Sequence, residues 1–186
     1  MPDQESPRTA RKKKNRAQVR LENAQQTYDC ALNLLSYRDH SQRQLRQKLL
    51  RKGASEEDVQ SSLDKLTAYG IMDEERFAQR VYEAWMHKRV YGRLHLMAEL
   101  CKQGVPQEYH QGVLEQFTDA LEEEHAQLAL EQFCRQQDKK ITQALAGGDP
   151  KEKQKIYAAA ARFLAARGFG GAYMELVRDR LQAREE

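Results

Sequence analysis

Apolar residues along the chain recur with a helical period. In three stretches a pair of apolar positions four residues apart is followed by a glycine: Leu45, Leu49 and Gly53; Leu96, Leu100 and Gly104; Ala160, Leu164 and Gly168. Residues at i and i+4 share one face of a helix, and a glycine can take the left-handed conformation that ends it. Ser41, Leu45, Leu49, Gly53, Leu63 and Leu66 lie 51 residues before Gly92, Leu96, Leu100, Gly104, Leu114 and Phe117. A third copy follows 64 residues later, setting Ala160, Leu164, Gly168, Tyr173, Val177 and Leu181 against Leu96, Leu100, Gly104, Tyr109, Val113 and Phe117. Such a period marks a tandem repeat of one supersecondary unit, here helix, glycine stop, helix.

An apolar-periodic helix precedes each copy. The first runs from about Ala17 to Tyr37 through Tyr28, Ala31, Leu32 and Leu35; the second from Glu74 to Lys88 through Phe77, Val81, Ala84 and Trp85; the third from Glu123 to Gln136 through Leu128, Leu130 and Phe133. The pattern predicts nine helices in three units of three. Caps agree: Ser41, Ser55 with Asp58, and Asp73 at starts, Pro106 opening a helix, and Gly53, Gly70, Gly104 and Gly168 at stops. The extra thirteen residues of the third spacing fit the polar segment from Gln136 to Pro150, read as an inserted loop near 138–150 ending with Asp149 as N-cap and Pro150 as first helical residue. The expected organisation is an arm at 1–16 and repeats at 17–70, 71–120 and 121–186, forming an elongated, curved body.

Composition agrees with an all-α fold. Only fifteen of 186 residues are Val, Ile or Thr, against 22 Ala, 20 Leu and 20 Gln, too few β-branched residues for a substantial sheet. Mean hydropathy is -0.90 and no apolar stretch spans a bilayer. Cys30, Cys101 and Cys134 stand apart without metal-site spacing and read as reduced, mostly buried thiols. Their odd number, and the lack of an apolar core behind the basic N-terminus, point to the cytoplasm.

The formal charge of +3 conceals segregation: residues 1–27 hold seven basic and three acidic side chains, a net of +4, leaving -1 for the remainder. The first fifteen or so residues combine Pro and charge with almost no apolar side chain, which predicts a disordered basic arm. Within the body, Arg38, Arg43, Arg46, Lys48, Arg51 and Lys52 crowd into fifteen residues. Lys88, Arg89, Tyr91, Arg93, His95 and Lys102 surround the matching helix of the second repeat. Corresponding helices of stacked repeats display corresponding surfaces, so these residues could join into a basic stripe for phosphates or an acidic protein, with a solvated helix face as the alternative. Tyr91 is the candidate exposed contact, whereas Phe77, Trp85 and Phe117 read as core. Acidic runs at 56–58 and 122–124 suit helix starts. The five histidines stand singly, and no phosphate loop, dinucleotide fingerprint or zinc-protease motif occurs, so neither catalysis, cofactor nor metal is expected.

Taken in order, YRDHSQRQLRQKLLRKG at 37–53, YGIMDEERFAQRVYEAWMHKRVYG at 69–92, LMAELCKQGV at 96–105 and RFLAARGF at 162–169 resemble the bacterial RecX family, regulators of the recombinase RecA. Gln44 and His95 depart from its common pattern of Glu and Arg. The resemblance implies three tandem three-helix repeats, no catalytic activity, and a protein lodged in the groove of a RecA filament on single-stranded DNA; nothing in the sequence demands a dimer, so a monomer is expected. There it would inhibit ATP hydrolysis, strand exchange and filament growth in recombination, DNA repair and the SOS response. Candidate partner or DNA contacts are Arg38, Arg43, Arg46, Lys48, Lys52, Lys88, Arg89, Tyr91, Arg93, His95, Lys102, Arg162 and Arg167. The alternative is a helical protein that binds DNA without RecA.

Overall fold

A computed structural model describes residues 20–184, so the expected arm at 1–16 lies outside the described residues. Ten α-helices and two short 3-10 turns, with no strand, account for the regular structure among them. Three helices form the first unit: α1 (Ala24–Tyr37), α2 (Gln42–Arg51) and α3 (Glu56–Ala68). The second holds α4 (Glu74–Met86), α5 (Arg93–Gln103) and, after a 3-10 turn at Gln107–Tyr109, α6 (His110–Gln116). The third holds α7 (Asp119–Gln136), α8 (Asp138–Ala146), α9 (Pro150–Ala165), a 3-10 turn at Gly171–Tyr173 and α10 (Met174–Gln182).

The caps act where the sequence puts them. The Ser41, Ser55 and Asp73 side chains accept from the backbone N–H three residues on, at 3.2, 3.0 and 2.9 Å. The Asp149 carboxylate accepts from Lys151 N–H at 2.9 Å, with Pro150 next to it in the first turn. Each cap satisfies one of the four amides a helix start leaves orphaned.

Each unit closes its own apolar cluster. Leu45, Leu49, Val59, Leu63 and Leu66 fill the first, Phe77, Trp85, Leu96, Leu100 and Phe117 the second, and Leu130, Phe133, Leu164, Val177 and Leu181 the third. A fully buried leucine stabilises by roughly 2 kcal/mol, so the paired leucines that define the repeat also hold it together.

Three expectations are corrected. The segment read as an inserted loop is the helix α8, leaving only Gly147, Gly148 and Asp149 between helices. Ile141 and Ala144 are buried at i and i+3, and this narrow apolar stripe anchors an otherwise polar helix against α7 and α9. The third unit therefore has four helices and the described residues ten. Secondly, α7 begins at Asp119, four residues before the expected start, because Thr118 accepts from Leu121 N–H at 3.3 Å. At the other end of the chain α1 begins only at Ala24, capped by Asn23. Thirdly, only Cys134 is buried; Cys30 is half-buried and Cys101 is exposed, since it follows the core residue Leu100 onto the outer face of α5.

Successive units are joined by one construction used twice. The start of α2 rests on the turn that ends α5: Ser41 Oγ donates to the Gln103 carbonyl at 2.9 Å, and Gln44 Nε2 donates to the same oxygen at 2.8 Å. The start of α5 rests on the turn that ends α9, where Gly92 N–H donates to Arg167 O at 2.9 Å and Leu94 N–H to Gly168 O at 3.2 Å. In both joints a carboxylate from the next unit accepts from the first helical amide, Glu74 from Gln42 and Glu122 from Arg93. The turns demand glycine, at φ 78° for Gly104 and 82° for Gly168, and a Cβ on Gly168 would strike the backbone of His95. Ahead of α1, Leu21 N–H donates to Lys52 O at 3.0 Å and the Arg20 side chain lies against Gly53.

Candidate recognition surface

The first unit gathers cations along α2, from Arg38 ahead of its start to Arg51 and Lys52 at its C-terminal end. Arg38 and Arg51 are exposed, Lys48 and Lys52 half-buried. Lys48 Nζ stands 3.3 Å from His40 Nε2, while His40 Nδ1 lies 3.2 Å from Gln44 Oε1. An ammonium can only donate, so Nε2 accepts, Nδ1–H donates to the amide oxygen, and the buried imidazole is neutral. Burial pushes the Lys48 ammonium pKa down, and repulsion from Arg38, Arg51 and Lys52 pushes it further. Burial likewise lowers His40, against the Gln44 hydrogen bond, with Lys48 and Arg38 adding to the shift. Three like charges close enough to act on Lys48 make with it a focused positive field, which attracts phosphate. Tyr37, 87% exposed, stands next to Arg38. An aromatic ring beside cations is how single-stranded nucleic acid is stacked and neutralised.

Elsewhere several expected contacts are occupied within the molecule. Arg46 bonds Glu56 at 2.7 Å and also Gln60. Arg93 grips Phe117 O and Asp119 at 2.8 Å and Glu122 at 3.3 Å, so it serves the joint between the second and third units. Tyr91 is half-buried, its ring centroid 4.0 Å from that of His95, and His95 Nδ1 accepts from the Trp85 indole N–H at 2.9 Å. Burial first, then Lys88 and Lys102, lower the His95 pKa, with Glu99 opposing. Arg167 lays its guanidinium 3.4 Å from the centroid of Phe163. Lys88, Arg89, Lys102 and Arg162 are exposed, Lys102 facing Glu99 at 3.5 Å. Arg43 is exposed with its stem against Gly104.

The cations thus form a patch on the first unit and a thinner set around α5. Continuity fails because the outer face of α5 is apolar. Leu94 and Met97 are 54% and 42% exposed, and Cys101 completes the stripe at i, i+3 and i+7. In the 51-residue register these three stand where α2 carries Arg43, Arg46 and Leu50. Tyr37 and this stripe are the site residues that the sequence does not single out, and Arg51, part of the basic run, is absent from the candidate contacts. Laying α5 over α2 residue by residue finds the stripe, and an aromatic side chain at the polar end of a helix signals Tyr37.

A family model described as RecX, first three-helix domain, matches residues 28–66. The regulatory protein RecX of Pelodictyon phaeoclathratiforme is 40% identical over 75 residues, covering 40% of this chain and 47% of the relative. That of Chlorobium limicola is 30% identical over 139 residues, covering 75% of this chain and 79% of the relative. The chain belongs to the RecX family. The crystal structure of RecX from Lactobacillus salivarius has the same fold, with a TM-score of 0.67 at 20% identity over 86% of this chain and 97% of that one. Its family is therefore one of regulatory proteins, and this RecX chain has no helix long and apolar enough to cross a membrane among the described residues. Nor do those residues group three metal-ligating side chains.

Proposed function

We propose that this protein binds the RecA filament as a monomer in the bacterial cytoplasm and restrains it, lowering ATP hydrolysis, strand exchange and filament growth during recombination and DNA repair. The observation that supports this most is the gathering of Arg38, Arg51 and Lys52 around Lys48, with the exposed Tyr37 next to Arg38, on a family-specific three-helix unit. A focused cation cluster neutralises backbone phosphates, and an adjacent aromatic ring stacks an unpaired base. Units joined head to tail give an array that can follow a helical groove while its first unit reaches the DNA. The acting groups are cations and apolar contacts, so the mode of action is binding rather than catalysis.

The same patch favours a second reading, direct DNA binding without RecA. A mobility shift on single-stranded DNA, with and without RecA, together with the DNA-dependent ATPase of the cognate RecA, separates the two. Suppression of ATPase at stoichiometric protein, with weak and salt-sensitive binding to bare DNA, is expected. An unchanged ATPase at excess protein would sink the proposal, and tight RecA-independent DNA binding would establish the alternative.

A further inference from the structure

We propose that the Leu94, Met97 and Cys101 stripe of α5 is a protein-docking surface that seats an apolar segment bordered by carboxylates. This rests on the RecA-binding reading above and divides it: the first unit takes the phosphates and the second takes the recombinase. The core side of α5 is already complete, with Leu96 and Leu100 fully buried, so the stripe is a second apolar face that no part of the described chain covers. Exposed apolar side chains grouped at helical spacing and rimmed by charge mark interaction sites.

The occupant follows from the rim and from the neighbouring surface. Lys88 and Lys102 both act on His95, the residue beside Leu94, and the Arg43 stem lies against Gly104, three residues beyond Cys101. Glu99, held by Gln103 and Lys102, opposes them, and Arg93, next to Leu94 and four residues before Met97, is matched by Asp119 and Glu122, so the surplus positive charge of this group is that of Lys88 and Arg43. A positive rim around an apolar centre complements carboxylates around an apolar centre. Phosphates do not fit it, because leucine and methionine offer them no donor, whereas the cation patch around α2 offers several. Arg43, on the same helix as that patch, lies against the turn that follows Cys101, so one partner assembly can engage both.

Cys101 is a built-in reporter. In the full-length protein, its alkylation by iodoacetamide, followed peptide by peptide so that Cys30 and Cys134 are read separately, should slow by at least about tenfold on RecA filaments and stay unchanged on single-stranded DNA alone. Leu94→Glu with Met97→Glu should weaken RecA binding by about 100-fold while leaving the mobility shift on bare DNA and the melting curve as in the wild type. Met97→Lys should weaken it far less than Met97→Glu, because only the glutamate repels the partner's acidic rim. Protection by DNA alone, protection that follows self-association in sedimentation, or undiminished RecA binding by the double variant each overturns the proposal. If the wild-type protein itself fails to bind RecA, the functional reading has failed first, and that result is distinct from a variant that binds as well as the wild type.

Discussion

Helices α2 and α5 hold the same place in successive units, share the buried leucine pair, and rest their first turns on the same kind of glycine turn, yet they face outward with different chemistry. Where α2 presents Arg43 and Arg46, α5 presents Leu94 and Met97. Even the i, i+4, i+8 column has been exchanged, from His40, Gln44 and Lys48 to Tyr91, His95 and Glu99. In the first the polar chain runs from imidazole to amide and ammonium; in the second the Tyr91 ring packs at a tilt on the imidazole, which serves Trp85. A repeat constrains the inward residues through packing and leaves the outward ones free to diverge. Equivalent position therefore predicts equivalent support, not equivalent recognition.

The largest effect should come from removing the support that makes the two helices equivalent. Gly168→Ala places a methyl against the His95 backbone in a left-handed conformation, and should cost about 3 kcal/mol in urea unfolding. Gly104→Ala meets the Ser41 hydroxyl and the flexible stem of Arg43, so its loss should be smaller, about 1–2 kcal/mol. Equal losses would show that the two joints are not distinguished by what their glycines touch.

Charge comes next. Reversing Arg38 and Lys52 to glutamate should weaken binding to single-stranded DNA on the order of 100-fold and flatten its salt dependence, whereas reversing Lys88 and Lys102 should cost about tenfold or less. The reverse order, measured by fluorescence anisotropy across a salt series, would move the phosphate-facing surface from α2 to α5.

Acidity probes the exchanged columns. His40 and His95 both titrate below the ordinary histidine value of 6.5 in the folded protein, so the unfolded chain takes up protons first and stability should fall as pH drops through that value. Glu74, raised by burial, acts in the opposite sense, its contribution being greatest below the ordinary carboxylate value of 4.5 and lost as pH rises through its folded pKa. Thermal melts from pH 7.5 to 5.5 should therefore decline, and decline less in His40→Gln. The smallest change is expected from Arg46→Ala, which removes a surface ion pair with Glu56 worth about 0.5 kcal/mol.

Much of this architecture was legible beforehand because packing imposes periods. The leucine pairs, the glycine stops and the caps at Ser41, Ser55, Asp73 and Asp149 are local signals with local causes. Helix α8 was not read because Ile141 and Ala144 supply a stripe too narrow to stand out among polar neighbours, although it suffices once α7 and α9 lie beside it. The roles of Arg93, Glu122 and His95 were illegible for a different reason. Each is decided by a partner 10 to 29 residues away, which charge and spacing along the chain do not reveal. Conversely, the cluster of Arg38, Lys48, Arg51 and Lys52 was legible because one short helix and its flanks carry all four.

The joints also bear on how the molecule stays finite. A contact that sets the front of one unit on the back of the next is head to tail, and with both ends open it would propagate into a fibre. Both ends are shut. The acceptor turn of the first unit, Lys52 and Gly53, is occupied by Leu21 and Arg20, where a preceding unit would otherwise insert. At the far end Ile156, the counterpart of Ser41 and Gly92, lies inside the long α9 rather than at a helix start, so no free amides are offered to a fourth unit. Among the described residues, a plug at one end and a lengthened helix at the other leave this joint no further place to form.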